Sequence, residues 1–163
     1  MHDEAFRRAR LIALALPLAL MAGALGSQFI GGLYPCEMCH WQRWPHYAAI
    51  GLAALAFVVP GLGARKLLVA LAMLAIATSG AIGVFHAGVE YHWWQGITAC
   101  SSTMSGSGGS TEEILARVMA APLVRCDAAQ WTLFGISLAG FNALFSLCSA
   151  AAIATLLLQR SSA

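Results

Sequence analysis

Charge is what this sequence has least of. Nine basic and seven acidic side chains are spread over 163 residues, and four long stretches carry none at all. These run from Leu11 to Leu33, Pro45 to Ala64, Leu67 to Val89 and Thr132 to Leu158. A helix of 23 residues, the length of the first run, rises about 34 Å against a hydrocarbon core of roughly 30 Å, so each run is long enough to span a bilayer or close to it. With 60 % hydrophobic residues, the composition excludes an ordinary soluble domain. Period-two alternation is missing from the apolar runs, which excludes a membrane barrel and leaves a helical bundle. No βαβ pattern surrounds the cysteines, so a thioredoxin-like fold is excluded as well. A net charge of +2 says little about partners, and nothing in the sequence suggests nucleic acid.

What the chain does have is placed asymmetrically. Arg7, Arg8 and Arg10 precede the first run, Arg65 and Lys66 join the second to the third, and Arg160 follows the fourth. The positive-inside rule puts these on the cytoplasmic side, with both termini inside. The expectation is one integral membrane domain over 1–163, with outer loops at about 34–44 and 90–131. All five tryptophans and all three tyrosines then fall at the outer ends, as an aromatic belt does. The basic start followed by Ala22-Gly23-Ala24 also fits a secretory signal. The apolar run continues through Phe29, Ile30 and Leu33, so an uncleaved first span is expected. Pro45 is expected to open span two, and Gly63 to Lys66 to form a tight inner turn.

Four of the five cysteines lie in the outer loops: Cys36, Cys39, Cys100 and Cys126. Cys148 lies in the fourth run and is expected to be a small buried apolar residue. An even number of outer cysteines points to disulfides, with three connectivities open. A staple closing the loop from Cys100 to Cys126 would contribute about 3 kcal/mol, which four membrane helices hardly need. The two-residue ring of Cys36-Glu37-Met38-Cys39 would constrain almost nothing. A Cys-x-x-Cys pair with a nearby cation, Arg43, instead suits reversible thiol–disulfide exchange. A four-cysteine zinc site would need a second Cys-x-x-Cys, which the chain lacks. Cys36-x-x-Cys39-His40 also satisfies the c-type haem attachment pattern, but a loop of a dozen residues encloses no haem and leaves Cys100 and Cys126 idle.

Other residues are candidates on weaker grounds. His86 and Glu90, four apart on one helical face near the outer surface, suit a proton relay or a contact to a polar ligand. As a metal site they fit no compact motif. Gln28 is polar enough to face the bundle or first loop, and Asn142 suits an interhelical hydrogen bond. In the second outer loop, a Ser/Gly-rich tract follows Cys100. Ser110 with Glu113 then makes a capping box before a short amphipathic helix, expected to lie on the outer leaflet.

Four spans, Pro35-Cys36-x-x-Cys39 with Arg43 four residues on, and a second pair at Cys100 and Cys126 together resemble the DsbB family. Val124-Arg125-Cys126-Asp127 followed by Trp131 and a long apolar run adds to the likeness, which covers nearly the whole chain. The Gly/Ser tract after Cys100 departs from it. The resemblance implies a quinone-dependent thiol oxidase of the bacterial inner membrane that reoxidises a periplasmic DsbA-like protein and uses ubiquinone or menaquinone. It implies that a partner thiolate attacks Cys100 of a Cys100–Cys126 disulfide. Cys126 then attacks Cys36 and frees Cys39 beside the quinone, with Arg43 stabilising that thiolate. Structural disulfides lie below about −300 mV and a strong oxidant such as DsbA near −120 mV, so ordinary staples could not recharge such a partner. The readings from other classes are a membrane-anchored haem carrier and a non-catalytic scaffold with structural disulfides. A vitamin K epoxide reductase-like enzyme fits less well, because Cys36 lies early in the chain.

Overall fold

The computed structural model describes residues 2–98, 110–120 and 124–159. Its helices are α1 (His2–Phe29), α2 (Glu37–Val58), α3 (Leu62–Glu90), the short α4 (Thr111–Ala120) and α5 (Leu138–Leu158). Two short strands, β1 (Thr132–Leu133) and β2 (Ile136–Ser137), pair antiparallel just before α5. Among the described residues, three helices are long and apolar enough to cross a membrane: Glu4–Phe29, Leu62–Glu90 and Leu138–Leu158. Helix α2 falls short of that standard because its first turns carry Glu37, His40, Gln42, Arg43 and His46.

Several expected boundaries move. Helix α2 begins at Glu37 rather than at Pro45, so the expected loop at 34–44 shrinks and Cys39 and Arg43 become helical. Pro45 sits inside the helix, a position better tolerated where neighbouring helices re-satisfy the backbone. The inner turn is Val59-Pro60-Gly61 rather than 63–66, which belong to α3. Proline cannot continue the helix, and Gly61 takes φ +88° there. The fourth apolar run is helical only from Leu138. Phe134 and Gly135, both at positive φ, form a two-residue hairpin turn between the strands.

The packing is inverted relative to a soluble protein. The core is built largely from alanine, with Ala9, Ala13, Ala49, Ala53, Ala56 and Ala72 fully buried alongside Val69, Ile76 and Ile153. Bulky residues face outward instead, among them Leu55, Val58, Leu67, Leu74 and Leu144. Lipid tails are as apolar as leucine, so membrane helices associate through small residues that let backbones approach. Cys148 follows this pattern in an unexpected sense, because it is exposed on the bundle surface rather than buried.

Helices α3 and α5 approach closely at Gly83. A Cβ on Gly83 would lie 3.0 Å from both the Ala139 carbonyl oxygen and the Ala143 nitrogen, so only glycine fits without moving backbone. At the basic end, Arg10 donates to the Ala56 carbonyl (3.3 Å) and lies over the Phe57 ring at 4.1 Å, joining α1 to the end of α2. At the opposite end, Tyr91 donates to the Gly135 carbonyl (2.8 Å) and accepts from the Ser137 amide (3.0 Å), tying α3 to the hairpin. The capping box before α4 forms as expected, with the Glu113 amide donating to Ser110 Oγ and the Ser110 amide to Glu113.

Gly83→Val should destabilise the bundle by about 1–3 kcal/mol through overpacking. Gly51→Val, on a helix surface with nothing within 4 Å of the added Cβ, should cost much less. Denaturant titration of the two variants in detergent, followed by circular dichroism, compares them directly.

Candidate functional site

The Cys-x-x-Cys pair is part of a helix terminus. Cys36 is the N-cap of α2, and its sulfur accepts a hydrogen bond from the Cys39 amide at 3.3 Å. That bond closes one of the orphan donors of the first turn and turns the two side chains toward each other. The sulfurs are 3.0 Å apart, with Cys36 Sγ donating to Cys39 Sγ. Cys36 is buried and Cys39 half-buried, both ahead of the apolar part of α2.

The two thiols differ in acidity. The hydrogen bond from Cys36 draws the Cys39 thiol down; burial opposes this, and the charge of Arg43 adds to it. The same bond, followed by burial, pushes the Cys36 thiol up, although the Cys39 amide pulls the other way. The first proton of the pair therefore leaves from Cys39.

His86 and Glu90 come to this pair from α3. His86 Nε2 stands 3.5 Å from Cys36 Sγ and 3.7 Å from a Glu90 carboxylate oxygen, with both side chains buried. Glu90 also accepts a short hydrogen bond from Ser137 Oγ, the N-cap of α5. Gln42, one turn beyond Met38 on α2, decides which ring nitrogen carries hydrogen. Its Oε1 accepts from Asn142 Nδ2 (2.8 Å), so its Nε2 donates, to the Met38 carbonyl (3.2 Å) and to His86 Nδ1 (2.7 Å). With Nδ1 accepting, the hydrogen is on Nε2, facing the sulfur of Cys36. The ligand atoms of Cys36, Cys39 and His86 lie within 4.8 Å of one another, a spread that a thiophilic cation could bridge. The tautomer set by Gln42 favours a hydrogen bond to sulfur over ligation there.

Cys126 reaches the same place from the segment before the hairpin. It is buried, 1 % exposed, and packs in one cluster with Cys36, Met38 and Val89, with Val124 against it. Gln130 holds this segment down by donating to the Tyr34 carbonyl at 2.6 Å. Arg125 and Asp127 flank Cys126 with a two-point ion pair of 2.8 and 2.6 Å, which keeps the Asp127 carboxyl below its usual range. Cys100 lies outside the described residues, as does the Ser/Gly tract after it.

A cavity of about 220 Å³ opens beside the dithiol between α1, α2 and α5. Its walls are mainly apolar, and Cys39, Arg43, His46, His86, Glu90 and Asn142 supply polar groups. Arg43 is held by α1, donating to Gln28 Oε1 (2.6 Å) and to the Ala24 carbonyl (3.2 Å). Gln28 thus faces the bundle, as its polarity suggested. Asn142 makes the interhelical bonds expected of it, to Gln42 on α2 and Ser79 on α3. His40 is exposed, and the two sulfurs face each other.

Cys36, Cys39, Arg43, His86, Glu90 and Cys126 are therefore neighbours, although they come from three separate parts of the chain. Sequence reasoning passed over Gln42, His46 and Ser79. Their signal was available: three polar residues within stretches that otherwise pack in apolar surroundings.

The chain matches the family model described as "Disulfide bond formation protein DsbB" over residues 6–156. It is 33 % identical over 139 residues to "Disulfide bond formation protein B" of Verminephrobacter eiseniae (strain EF01-2), covering 82 % of this chain and 75 % of that protein. The protein of the same name in Acidovorax sp. (strain JS42) is 28 % identical over 162 residues, covering 96 % and 90 %. "Uncharacterized protein RP370" of Rickettsia prowazekii (strain Madrid E) is 23 % identical over 146 residues, covering 89 % and 84 %. No solved structure matches. With a match across nearly its whole length and these cysteines gathered at one end of a helical bundle, the chain belongs to the DsbB family of disulfide bond formation proteins.

Proposed function

We propose that the protein is a thiol:quinone oxidoreductase of the bacterial inner membrane that reoxidises a periplasmic dithiol protein of the DsbA type. The observation that carries this is the shared cavity. Cys39 and Arg43 line it, and Cys126 packs on Cys36 directly behind. Helix α2 would be the fourth span, with apolar residues such as Leu55 and Val58 facing outward and its polar first turns at the membrane surface. The basic end, with Arg10 and Arg65, would be cytoplasmic and the cysteine end periplasmic. Helix α4, exposing Leu115 and Met119 four residues apart, would rest on the outer leaflet.

In this reading the partner's thiolate attacks Cys100 of a Cys100–Cys126 disulfide, and Cys126 leaves as a thiolate. Cys126 then attacks one sulfur of a Cys36–Cys39 disulfide. Exchange is faster when the departing thiol has the lower pKa. With Cys36 bonded to Cys126, the charge of Arg43 still favours the Cys39 thiolate, so attack falls on Cys36, which shares a buried cluster with Cys126. A Cys36–Cys126 bond forms, the Cys36–Cys39 bond breaks, and the electron pair of the broken bond stays on Cys39. Arg43 stabilises the resulting anion within the cavity. His86, with its Nε2 hydrogen toward Cys36 and Glu90 alongside, is placed to hold a proton at the sulfur.

The cavity fits a quinone head group. Its walls are mainly apolar, and Arg43 in its wall can donate to a carbonyl oxygen. When bound, a quinone supplies a sink for two electrons and two protons. Arg43 would hold one of its oxygens near Cys39, and the apolar residues of α1 and α5 would exclude water.

Purified protein, a reduced thioredoxin-fold partner and a quinone analogue should give turnover measurable by quinone absorbance; inert disulfides would sink the proposal. Arg43→Met should raise the quinone KM by about ten- to a hundredfold, the value of a hydrogen bond to a charged group, while leaving exchange with the partner largely intact. Thiol acidity gives a separate check. In the reduced protein, alkylation of Cys39 should persist to lower pH than that of Cys36, because the thiolate is the reactive form. Peptide mapping by mass spectrometry between pH 5 and 9 reads this order, and the reverse order would redirect attack to Cys39.

A further inference from the structure

Cys126 reaches the dithiol on a segment with no regular structure of its own. Residues 124–131 form neither helix nor strand, and β1 begins only six residues beyond Cys126. Cys36, Cys39 and Cys126 are all free thiols here, yet Cys126 is only 1 % exposed and shares its buried cluster with Cys36. After the hydrogen bond to Cys39 and burial, the charge of Cys126 also pushes the Cys36 thiol up, so the two sulfurs are near neighbours. Non-covalent contacts alone therefore bring these two cysteines together.

One of those contacts ties the two cysteine-bearing stretches of chain directly. Gln130 Nε2 donates to the Tyr34 carbonyl at 2.6 Å, and among the described residues this is the one hydrogen bond between segments 30–36 and 124–131. Tyr34 lies two residues before Cys36, and Gln130 four residues after Cys126. Pro35 stands between Tyr34 and Cys36, and its ring fixes φ at about −65°, so a carbonyl pinned at Tyr34 restricts where Cys36 can lie. Val124, on the other side of Cys126, packs on the same buried cluster. The segment is thus held on both sides of its sulfur.

We infer that Gln130 is a positioning residue for the exchange between Cys126 and Cys36: its bond to the Tyr34 carbonyl docks the segment before any bond between the sulfurs exists. The inference rests on the relay proposed above. A docked thiol meets its target as an intramolecular neighbour at high effective concentration, whereas an undocked one must order its segment at each encounter. One neutral hydrogen bond is a factor of about three to ten in such an equilibrium.

The test is a thiol equilibrium in nanodiscs on the full chain carrying Cys39→Ser, Cys100→Ser and Cys148→Ser, which leaves Cys36 and Cys126. In glutathione buffers the pair gives two electrons and two protons to glutathione disulfide. That disulfide becomes two thiols, and the pair closes. The constant of this reaction is the effective concentration of one thiol at the other. Gln130→Met keeps the length of the side chain and removes its donor. It should lower the constant about three- to tenfold, which raises the potential of the couple by about 15–30 mV. A second background, with Cys100→Ser, Cys126→Ser and Cys148→Ser, reads the Cys36–Cys39 couple, which Gln130→Met should leave unchanged. An unchanged or raised Cys36–Cys126 constant, or an equal fall in both couples, overturns the inference while leaving the relay intact. If Cys36 and Cys126 form no disulfide even with Gln130 in place, the relay itself fails and the inference with it.

Discussion

The side-chain amide of Asn142 is shared by three helices. It donates to Gln42 of α2 and to Ser79 of α3, and it accepts from His46 of α2 and from Ser146 of its own helix. In a bilayer there is no water to satisfy such a group, so these partners must be kept together. Individual bonds of this kind contribute little, on the order of 0.6 kcal/mol. Their effect is on rotation. With Gln42 and His46 held against Asn142, α2 can present only one face to the interior. That face fixes the side of the bundle from which Cys39 and Arg43 enter the cavity.

The same network reaches the sulfur chemistry through Gln42. Its amide orientation is dictated by Asn142, and it dictates in turn which nitrogen of His86 faces Cys36. A hydrogen-bond donor at Cys36 is thus specified by a residue on α5 that never touches a cysteine. The dithiol adds an asymmetry of its own, because one sulfur caps the helix and the other lies a turn inside it. Burial and the shared hydrogen bond then separate their acidities. Small residues make this density of polar groups possible. Gly83 lets α3 and α5 approach until Ser79 and Asn142 can meet.

Much of the site was legible in the residues. Cys36, Cys39 and Cys126 gather as expected, and Arg43 lies beside them because it falls one turn beyond Cys39. His86 and Glu90 share a face because they are four apart. Their nearness to Cys36 was not legible, since it depends on how α2 and α3 pack. The start of α2 was misjudged because Glu37, His40 and Arg43 look like loop residues in a window scanned for apolar runs. A cysteine N-cap with an acidic first turn was the overlooked signal. The hairpin at 132–137 was hidden within an apolar run, where only Phe134-Gly135 marks the turn. Cys148 reads as an interior residue by the rule for soluble proteins, yet in a membrane bundle small size does not decide which face looks toward lipid, and it is exposed.

The chain by itself determined its helical membrane character, the end of the bundle that carries the cysteines, and the two-residue spacing of the Cys36 and Cys39 thiols. Those follow from local quantities: the length of an apolar run, the count of cations beside it, the positions of the thiols. Only the tertiary structure decided the tautomer of His86, the partners of Asn142 and the seat of Cys126 in one buried cluster with Cys36. Each of these is set by groups distant in sequence competing for the same hydrogen bond or the same volume, and such competition has no trace in the order of residues along one strand of chain.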